Sequence, residues 1–295
     1  MKKTLVSLLS LLLIVASCKK NDDDPQTFIQ LQRIGSTEEA YAFQYNDDHL
    51  PVKIELLKSE GGVFEPDEYF TVSYENGAPV KAEYFNKKDG SFKLTKKYTF
   101  TTDAQKRITK AIIKRFSSDG TELPETITRD YAFNSNGKLT TIIHNGDEEN
   151  AWVIEYDANG NYKESPYTSD EPTLKQTGTA EYKYDNGINP FSVNGVGVMM
   201  MVAFDGDVFG ADMILSENNV NSSKLVNTRI DNPGTQFQET TISTQSITYT
   251  NAFDANGGLQ KIDFSRNYKE EHQNEVIRDD TYQFSLNLTC IKKNR

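Results

Sequence analysis

The sequence predicts an all-β protein, built as an extended antiparallel meander of repeated β-hairpins. Three observations predict it: aromatic and β-branched residues recur at every second position, Asp/Asn/Gly clusters interrupt these runs, and the pattern returns through most of the chain. Tyrosine and phenylalanine are abundant, whereas Cys, Trp and Met are scarce, which favours strands and turns over helices. We expect a twisted sheet that could curl into a partly open barrel or into two packed sheets.

The first element, residues 1–17, has the three parts of a lipoprotein signal peptide. Two lysines precede an apolar run at 5–15, which is too short to cross a bilayer as a helix, so we expect it to be removed. Val15-Ala16-Ser17-Cys18 resembles the bacterial lipobox. That resemblance implies cleavage between Ser17 and Cys18 and acylation of the Cys18 sulfur. An ordinary signal peptide that ends beside a cysteine is the alternative.

The second element, residues 18–27, is a short acidic tether. It carries Lys19, Lys20, Asn21, Asp22, Asp23 and Asp24. Like charges repel and no apolar residue is available to pack, so we expect a solvated linker. The same residues resemble the acidic export signal of Bacteroidota surface lipoproteins. This resemblance implies an outer-membrane lipoprotein exposed at the cell surface, with a periplasm-facing anchor as the alternative.

The third element, residues 28–295, is predicted to be a single hairpin-repeat domain. Seven copies of the pattern occur, at Tyr41–Leu57, Tyr69–Phe85, Tyr98–Ile113, Asp130–Ile143, Ala151–Glu164, Glu181–Val193 and Ile247–Phe264. Residues two apart lie on one face of a strand, so Tyr41, Phe43 and Tyr45 should face together. The turn sequences NSNG and DANG tolerate the positive φ that tight turns need. Seven hairpins give about fourteen strands.

The turns of these hairpins resemble those of YD/RHS-type repeats, with an aromatic residue followed by Asp-x-Asn-Gly. The chain resembles still more closely the hairpin-repeat lipoproteins of unknown function in Bacteroidota, because of YKYDNGINPF at Tyr182–Phe191. The resemblance covers about residues 28–290. The sequence lacks the long regular array and the self-cleaving toxin-delivery core of YD/RHS proteins, so their shell-forming role is not implied.

An irregular apolar insert at about 194–232 interrupts the repeats. Met199, Met200 and Met201 form a run with valines on both sides, apolar on both faces. We expect a short helix or a capping strand that closes one end of the sheet. The alternative is a soft apolar lid over a ligand groove, because methionine adapts to irregular shapes.

Charge argues against two classes of partner, and cysteine content excludes two kinds of site. Removing residues 1–17, which hold two lysines and no acid, changes the net charge from −11 to −13. Such an acidic chain argues against nucleic acid and anionic membrane as partners, so the lipid anchor is the expected membrane contact. Once Cys18 is acylated, Cys290 is the remaining thiol, which excludes an internal disulfide and a thiolate metal cluster.

Candidate catalytic chemistry is sparse. His49, His144 and His272 stand apart, and no HExxH, Gly-x-Ser-x-Gly or P-loop sequence occurs, so no metal or cofactor is expected. Asp157–Asn161 and Asp205–Asp207 weakly resemble calcium loops, but turn chemistry explains them. Any of the acids could pair for glycoside cleavage, and the sequence singles out no pair.

Aromatic side chains on a solvent face are the better candidates for binding, and Trp152 is the one that the sequence singles out. The expected function is therefore a non-enzymatic, membrane-anchored envelope lipoprotein. It would bind a glycan or peptide, or act as a structural partner of an envelope protein. A carrier of lipid or another apolar ligand, with Met199–Met201 at its mouth, is the alternative, and a hydrolase is a weaker one.

Overall fold

A computed structural model describes residues 27–164, 166–193, 195–204, 211–254 and 259–294. Within these residues the chain forms eighteen β-strands, two α-helices and one short 3-10 helix. Every pair of neighbouring strands is antiparallel, and most neighbours are consecutive in the chain. The predicted all-β antiparallel meander is therefore confirmed.

The strands form one large sheet and one small sheet among the described residues. The first ten strands are β1 Thr27–Gly35, β2 Glu39–Tyr45, β3 Pro51–Glu60, β4 Val63–Glu75, β5 Ala78–Lys88, β6 Ser91–Thr102, β7 Ile108–Phe116, β8 Glu122–Phe133, β9 Leu139–His144 and β10 Asp147–Val153. The small sheet pairs β11 Glu155–Tyr156 with β12 Tyr162–Lys163. The remaining strands are β13 Tyr167–Glu171, β14 Leu174–Ile188, β15 Asn218–Asp231, β16 Glu239–Phe253, β17 Leu259–His272 and β18 Glu275–Asn294.

The number of strands exceeds the number expected from the aromatic repeat. β15, for example, carries serine, threonine and asparagine and has no aromatic ring, so its alternation is weak in the sequence. β15 also occupies residues 218–231, which the sequence analysis assigned to the irregular insert. The helices of that insert lie at residues 196–204 and 211–215.

The large sheet has sixteen strands, and its order places the first and last strands together. β1 pairs with β18 near the centre, β2 to β10 follow on one side, and β17 to β13 follow on the other. Leu31 is opposite Cys290, and Ile34 is opposite Leu288. The end strands β10 and β13 do not pair with each other in the described chain, so this sheet is open.

Short turns with side-chain hydrogen bonds connect the strands at one end of the sheet. In the turn after β8, Asn134 Oδ1 accepts hydrogen bonds from the backbone amides of Asn136 and Lys138, both at 3.0 Å. Gly137 has φ 79°, in the left-handed region where a side chain would be strained. The turn therefore follows the chemistry that the NSNG sequence predicts.

Tyrosine hydroxyls near these turns bind the backbone of a preceding strand. Four of them donate to a carbonyl oxygen: Tyr45 to Leu31, Tyr74 to Pro51, Tyr156 to Leu139 and Tyr184 to Tyr162. The rings also pack against the hydrophobic core. A buried hydroxyl with a partner costs little desolvation, so these four tyrosines stabilise the contact between their own strand and a preceding one.

The core lies on one face of the large sheet, toward the short turns. We call this face, which carries Phe43, Ile54, Phe70 and Leu286, the core face. Phe43 and Ile54 are directly opposite, as are Ile54 and Phe70, so the buried side chains continue from strand to strand. The far halves of the strands are largely exposed.

Helices fill the core beside these side chains. They are the 3-10 helix Pro190–Ser192, α1 Val196–Phe204 and α2 Ala211–Leu215. α1 is apolar around its whole circumference, which is typical of a helix buried on all sides. Of the two alternatives for the insert, the helix is confirmed, and the capping strand is wrong because the apolar run has no polar alternation.

Hydrogen bonds join this helical insert to both halves of the sheet. Asn189 is buried, and its amide nitrogen donates to the carbonyl oxygens of Met213 and Ser216. The Ser216 hydroxyl accepts from the Tyr162 amide at 2.9 Å. Lys138 forms an ion pair of 2.6 Å with Glu217, linking the turn after β8 to the start of β15. The insert thus connects segments that are distant in sequence.

Candidate functional site

The candidate site lies on the core face of β17 and β18, where this face becomes exposed. Alternate residues of β18 point to the core face, so Phe284 and Tyr282 continue the line of buried Leu286. β1 ends at Gly35, which is opposite Asn287. Phe284 and Tyr282 therefore lie beyond the end of β1, and they are 51% and 46% exposed.

A row of aromatic rings leads from the core to this exposed region. Tyr249, Phe264 and Phe284 are directly opposite neighbours on β16, β17 and β18. The Phe264 centroid lies 5.0 Å from that of Tyr249, edge-on, and 4.3 Å from that of Phe284, stacked. Phe264 is only 7% exposed. One side of the Phe284 ring is thus fixed by stacking, and half of its surface remains in solvent.

Charged side chains surround the exposed rings. The Arg278 guanidinium lies 5.1 Å above the centroid of the Tyr268 ring, and its Nε donates to Asp280. Arg278 Nη2 donates to the Tyr282 hydroxyl at 3.2 Å, and that hydroxyl is also 3.2 Å from Asp280 Oδ2. The Tyr268 hydroxyl donates to Glu270 at 3.0 Å. These contacts hold donors and acceptors in fixed positions beside the rings.

We call this surface the β17–β18 patch. It consists of Arg266, Tyr268, Glu270, Arg278, Asp280, Tyr282 and Phe284. Two arginines and two carboxylates are present, so its formal charge is zero. The hydrogen bond from Arg278 lowers the pKa of Asp280, and Asp280 raises the pKa of Arg278 in turn. Both groups are therefore ionised over the ordinary pH range.

A second polar cluster is buried where α2 packs near the sheet. Asp212 is 8% exposed, and burial raises the pKa of its carboxyl to about 6. Hydrogen bonds from the Met213 amide and the Tyr249 side chain lower this pKa, and the nearby Glu164 raises it. The Tyr182 hydroxyl donates to Glu164 at 2.8 Å. This cluster anchors α2 within the core.

Trp152, the aromatic residue singled out by the sequence, lies on the core face. It is directly opposite buried Ile142 on β9, and it is partly buried against the hydrophobic core. Its ring is therefore engaged in packing to a greater extent than Tyr282 or Phe284. A binding role for Trp152 stays a prediction.

The three methionines of the insert are buried in α1. Met199, Met200 and Met201 belong to the hydrophobic core cluster. A small void of about 10 Å³ lies nearby, lined by Asn189, Met213 and Tyr249 among others. This volume admits about one water molecule. Binding of an apolar ligand by the methionines stays a prediction, and it requires the insert to move.

Several predicted site residues lie outside the described residues. They are Ser17, Cys18, Lys19, Lys20, Asn21, Asp22, Asp23 and Asp24, together with the Asp205–Asp207 segment. Cys290 is described, and burial, with a smaller effect from Asp254, raises the pKa of its thiol to about 12. A thiol with such a pKa is largely protonated and therefore a poor nucleophile at neutral pH.

The Asp157 side chain forms hydrogen bonds to the backbone of its own turn. Asp157 Oδ1 accepts hydrogen bonds from the amides of Asn159 and Asn161, both at 2.9 Å. An open polar groove of about 420 Å³ lies between this turn and the one that contains Lys138.

In the described ranges, no three His, Cys, Asp or Glu side chains are grouped so that they could hold a metal ion. Nor does that part of the chain contain a helix with the length and apolarity needed to span a membrane.

The β17–β18 patch is not among the sites predicted from the sequence, although β18 carries a signal for it. In RDDTYQFSLNL, residues Arg278, Asp280, Tyr282 and Phe284 are in phase with Leu286. The alternation therefore places them on the core face. Which of these alternating residues the rest of the core covers is not contained in the sequence of β18 alone.

Comparisons with known proteins give fold similarities only. No protein-family model matches the chain, and no curated protein matches it. A porin-like protein from Bacteroides uniformis is 15% identical, with a TM-score of 0.48, over 88% of this chain and 98% of that chain. A porin-like protein from Bacteroides vulgatus is 11% identical, with a TM-score of 0.32, over the same shares of the two chains.

Proposed function

We propose that this chain is a lipid-anchored outer-membrane lipoprotein, displayed at the cell surface, that binds an extracellular glycan or peptide without catalysing a reaction. The proposed anchor is Cys18, because of the lipobox-like sequence before it. The acidic residues after Cys18 support export to the outer leaflet. The proposed binding surface is the β17–β18 patch.

The observation that carries this proposal is the exposure of Tyr282 and Phe284 on the face that elsewhere forms the core. Exposed rings that cluster with fixed polar groups are typical of recognition surfaces. Stacking on Phe264 and the hydrogen bonds to Tyr282 hold both rings before a ligand arrives. A preorganised surface loses little conformational entropy on binding, which favours affinity.

The Asp280 carboxylate supports binding over hydrolysis. A glycoside hydrolase needs a carboxyl group whose raised pKa lets it donate a proton. At Asp280 the neighbouring Arg278 lowers the pKa instead. This carboxylate is therefore suited to accept hydrogen bonds from a ligand, and it is a poor proton donor.

An array of glycans and peptides tests the proposed function. The protein is the full chain carrying Cys18→Ala, so that no acyl chain interferes. We expect at least one class of ligand to bind, and the double variant Tyr282→Ala/Phe284→Ala to weaken that binding about tenfold or more.

Two control variants separate loss of the patch from general effects. Gln283→Ala changes the residue between the two rings, which points to the opposite face. Phe237→Ala removes a ring that is 70% exposed elsewhere on the chain. Both should bind as the unsubstituted protein does. Equal binding by the double variant and the controls would show that the patch is not the site.

A further inference from the structure

We infer that the ligand of the β17–β18 patch is a neutral sugar, stacked on Phe284 and Tyr282, with hydroxyl groups bound by Arg278 and Asp280. This inference rests on the proposed function and names its ligand class. It follows from three properties of the patch: the open rings, the balance of charge and the pairing of the polar groups.

The rings provide an apolar surface with a defined orientation. Phe284 stacks on Phe264 at 4.3 Å and is half exposed, so a ligand can contact it from the solvent side. Tyr282 lies two residues away on the same face of β18, about 7 Å along the strand. Two rings at this spacing form a short platform, which suits the C–H face of a sugar ring.

The charges of the patch favour a ligand without net charge. Arg266 and Arg278 are balanced by Glu270 and Asp280, so neither an anion nor a cation gains a large Coulomb attraction. A neutral ligand also avoids repulsion from the acidic chain, whose net charge is −11. The patch is thus electrostatically matched to an uncharged, polar molecule.

The paired ions can bind hydroxyl groups without separating. Arg278 donates to both Asp280 and Tyr282, and its remaining N–H groups can donate to a ligand oxygen. Asp280 has further lone pairs that can accept from a hydroxyl group. A sugar hydroxyl both donates and accepts, so it matches this adjacent donor and acceptor. A trans peptide group points its N–H and its C=O in opposite directions, so one such group cannot contact both Arg278 and Asp280.

Calorimetric titration of the full chain carrying Cys18→Ala tests the inference. The probes are a neutral oligosaccharide, a uronate-containing oligosaccharide and a peptide, each chosen from the strongest binders of its class on the array. We expect the neutral sugar to bind most tightly. Its dissociation constant should change less than about twofold between about 50 mM and about 500 mM salt, because no net ion pair forms.

Two neighbouring acids give a matched pair of variants. Asp280→Asn removes a charged acceptor from the patch, and we expect it to weaken neutral-sugar binding about tenfold. Asp279→Asn changes the adjacent residue, which points to the opposite face, and should change binding less than about twofold. Circular dichroism of both variants verifies that each is folded.

The outcomes distinguish this inference from the proposed function. Binding of peptides alone, or salt-sensitive binding of the uronate sugar alone, would overturn the inference and leave a ligand-binding protein. Binding of none of the three classes would overturn both. Equal effects of Asp279→Asn and Asp280→Asn would also overturn the inference, because the patch would then have no special part in binding.

Discussion

Asp212 shows how burial changes the chemistry of one residue. Its carboxyl has a raised pKa of about 6, against an ordinary value of 3.8. Between these two values the unfolded chain is mostly ionised at Asp212 and the folded protein mostly keeps the proton. Stability contributed by the protonated group is therefore complete below about pH 4 and is lost as the pH rises to about 6.

We expect Asp212→Asn to remove this pH dependence. The neutral amide mimics the protonated carboxyl, so the variant should gain stability relative to the unsubstituted protein as the pH rises from 4 to 6. The gain is at most about 3 kcal/mol, from about two pKa units. Urea unfolding at several pH values measures this difference.

At Asp280 the pH dependence of stability has the opposite sign, and Asp280→Asn should remove it. Arg278 lowers the pKa of Asp280, so the stabilising contribution of Asp280 is present at neutral pH and is lost as the pH falls through its folded pKa.

If the Asp212→Asn variant and the unsubstituted protein have parallel profiles of stability against pH from 4 to 6, Asp212 is ionised in the folded protein and the inferred burial effect is wrong.

Gly197 determines how the elements of the insert fit together. A Cβ atom at this position of α1 would clash with the carbonyl oxygen of Ile214 in α2, and it would lie 3.0 Å from that of Phe191. The close approach of α1, α2 and the 3-10 helix therefore needs a residue without a side chain at position 197.

We expect Gly197→Ala to destabilise the protein by about 2 kcal/mol or more, because backbone atoms must move apart. Helix propensity alone predicts the opposite sign, a gain of about 1 kcal/mol. The midpoint of urea unfolding distinguishes the two.

Gly195→Ala is the control. No atom lies within 4 Å of a Cβ atom at this position, so only its φ of 70° opposes the substitution, at a cost of about 1 kcal/mol. A stabilised Gly197→Ala variant would show that the helices pack less closely.

Elements with local signals were predictable from the sequence, and those that depend on distant neighbours were not. The hairpin at Asn134–Gly137 follows from alternation and turn chemistry within a few residues. The polar strand β15 lacks aromatic alternation, so its sequence has the composition of a loop. Its strand conformation depends on pairing with β14 and β16, which the order of residues does not show directly.

The same distinction applies to the candidate site. Trp152 is a candidate from sequence because a flat ring on a solvent face could stack on a ligand, and the structure places it partly against the core. Tyr282 and Phe284 have the same alternation as buried Leu286, so the sequence gives them no special status. Buried Leu286 lies just beyond the end of β1 at Gly35, and the exposed rings lie two and four residues farther along β18.

At the scale of the whole molecule, we expect Cys18 to determine its location. In cells labelled with a fatty acid, the unsubstituted protein should carry the label, and Cys18→Ala should not. External protease should digest the unsubstituted protein on intact cells, as an exposed domain requires. Cys290→Ala is the control and should keep the label. A labelled protein that resists protease until cells are opened would indicate a periplasm-facing anchor.

The pairing of β1 with β18 has a consequence for biogenesis. A ribosome makes residues 27–35 long before residues 275–294, yet these two strands are hydrogen-bonded neighbours in the middle of the sheet. During synthesis, the edge of β1 that pairs with β18 must therefore stay without this partner until residues 275–294 have been made. The strands on either side of this pair, β2 to β10 and β13 to β17, can form their own hairpins earlier. The pairing of β1 with β18 is therefore a late, slow step.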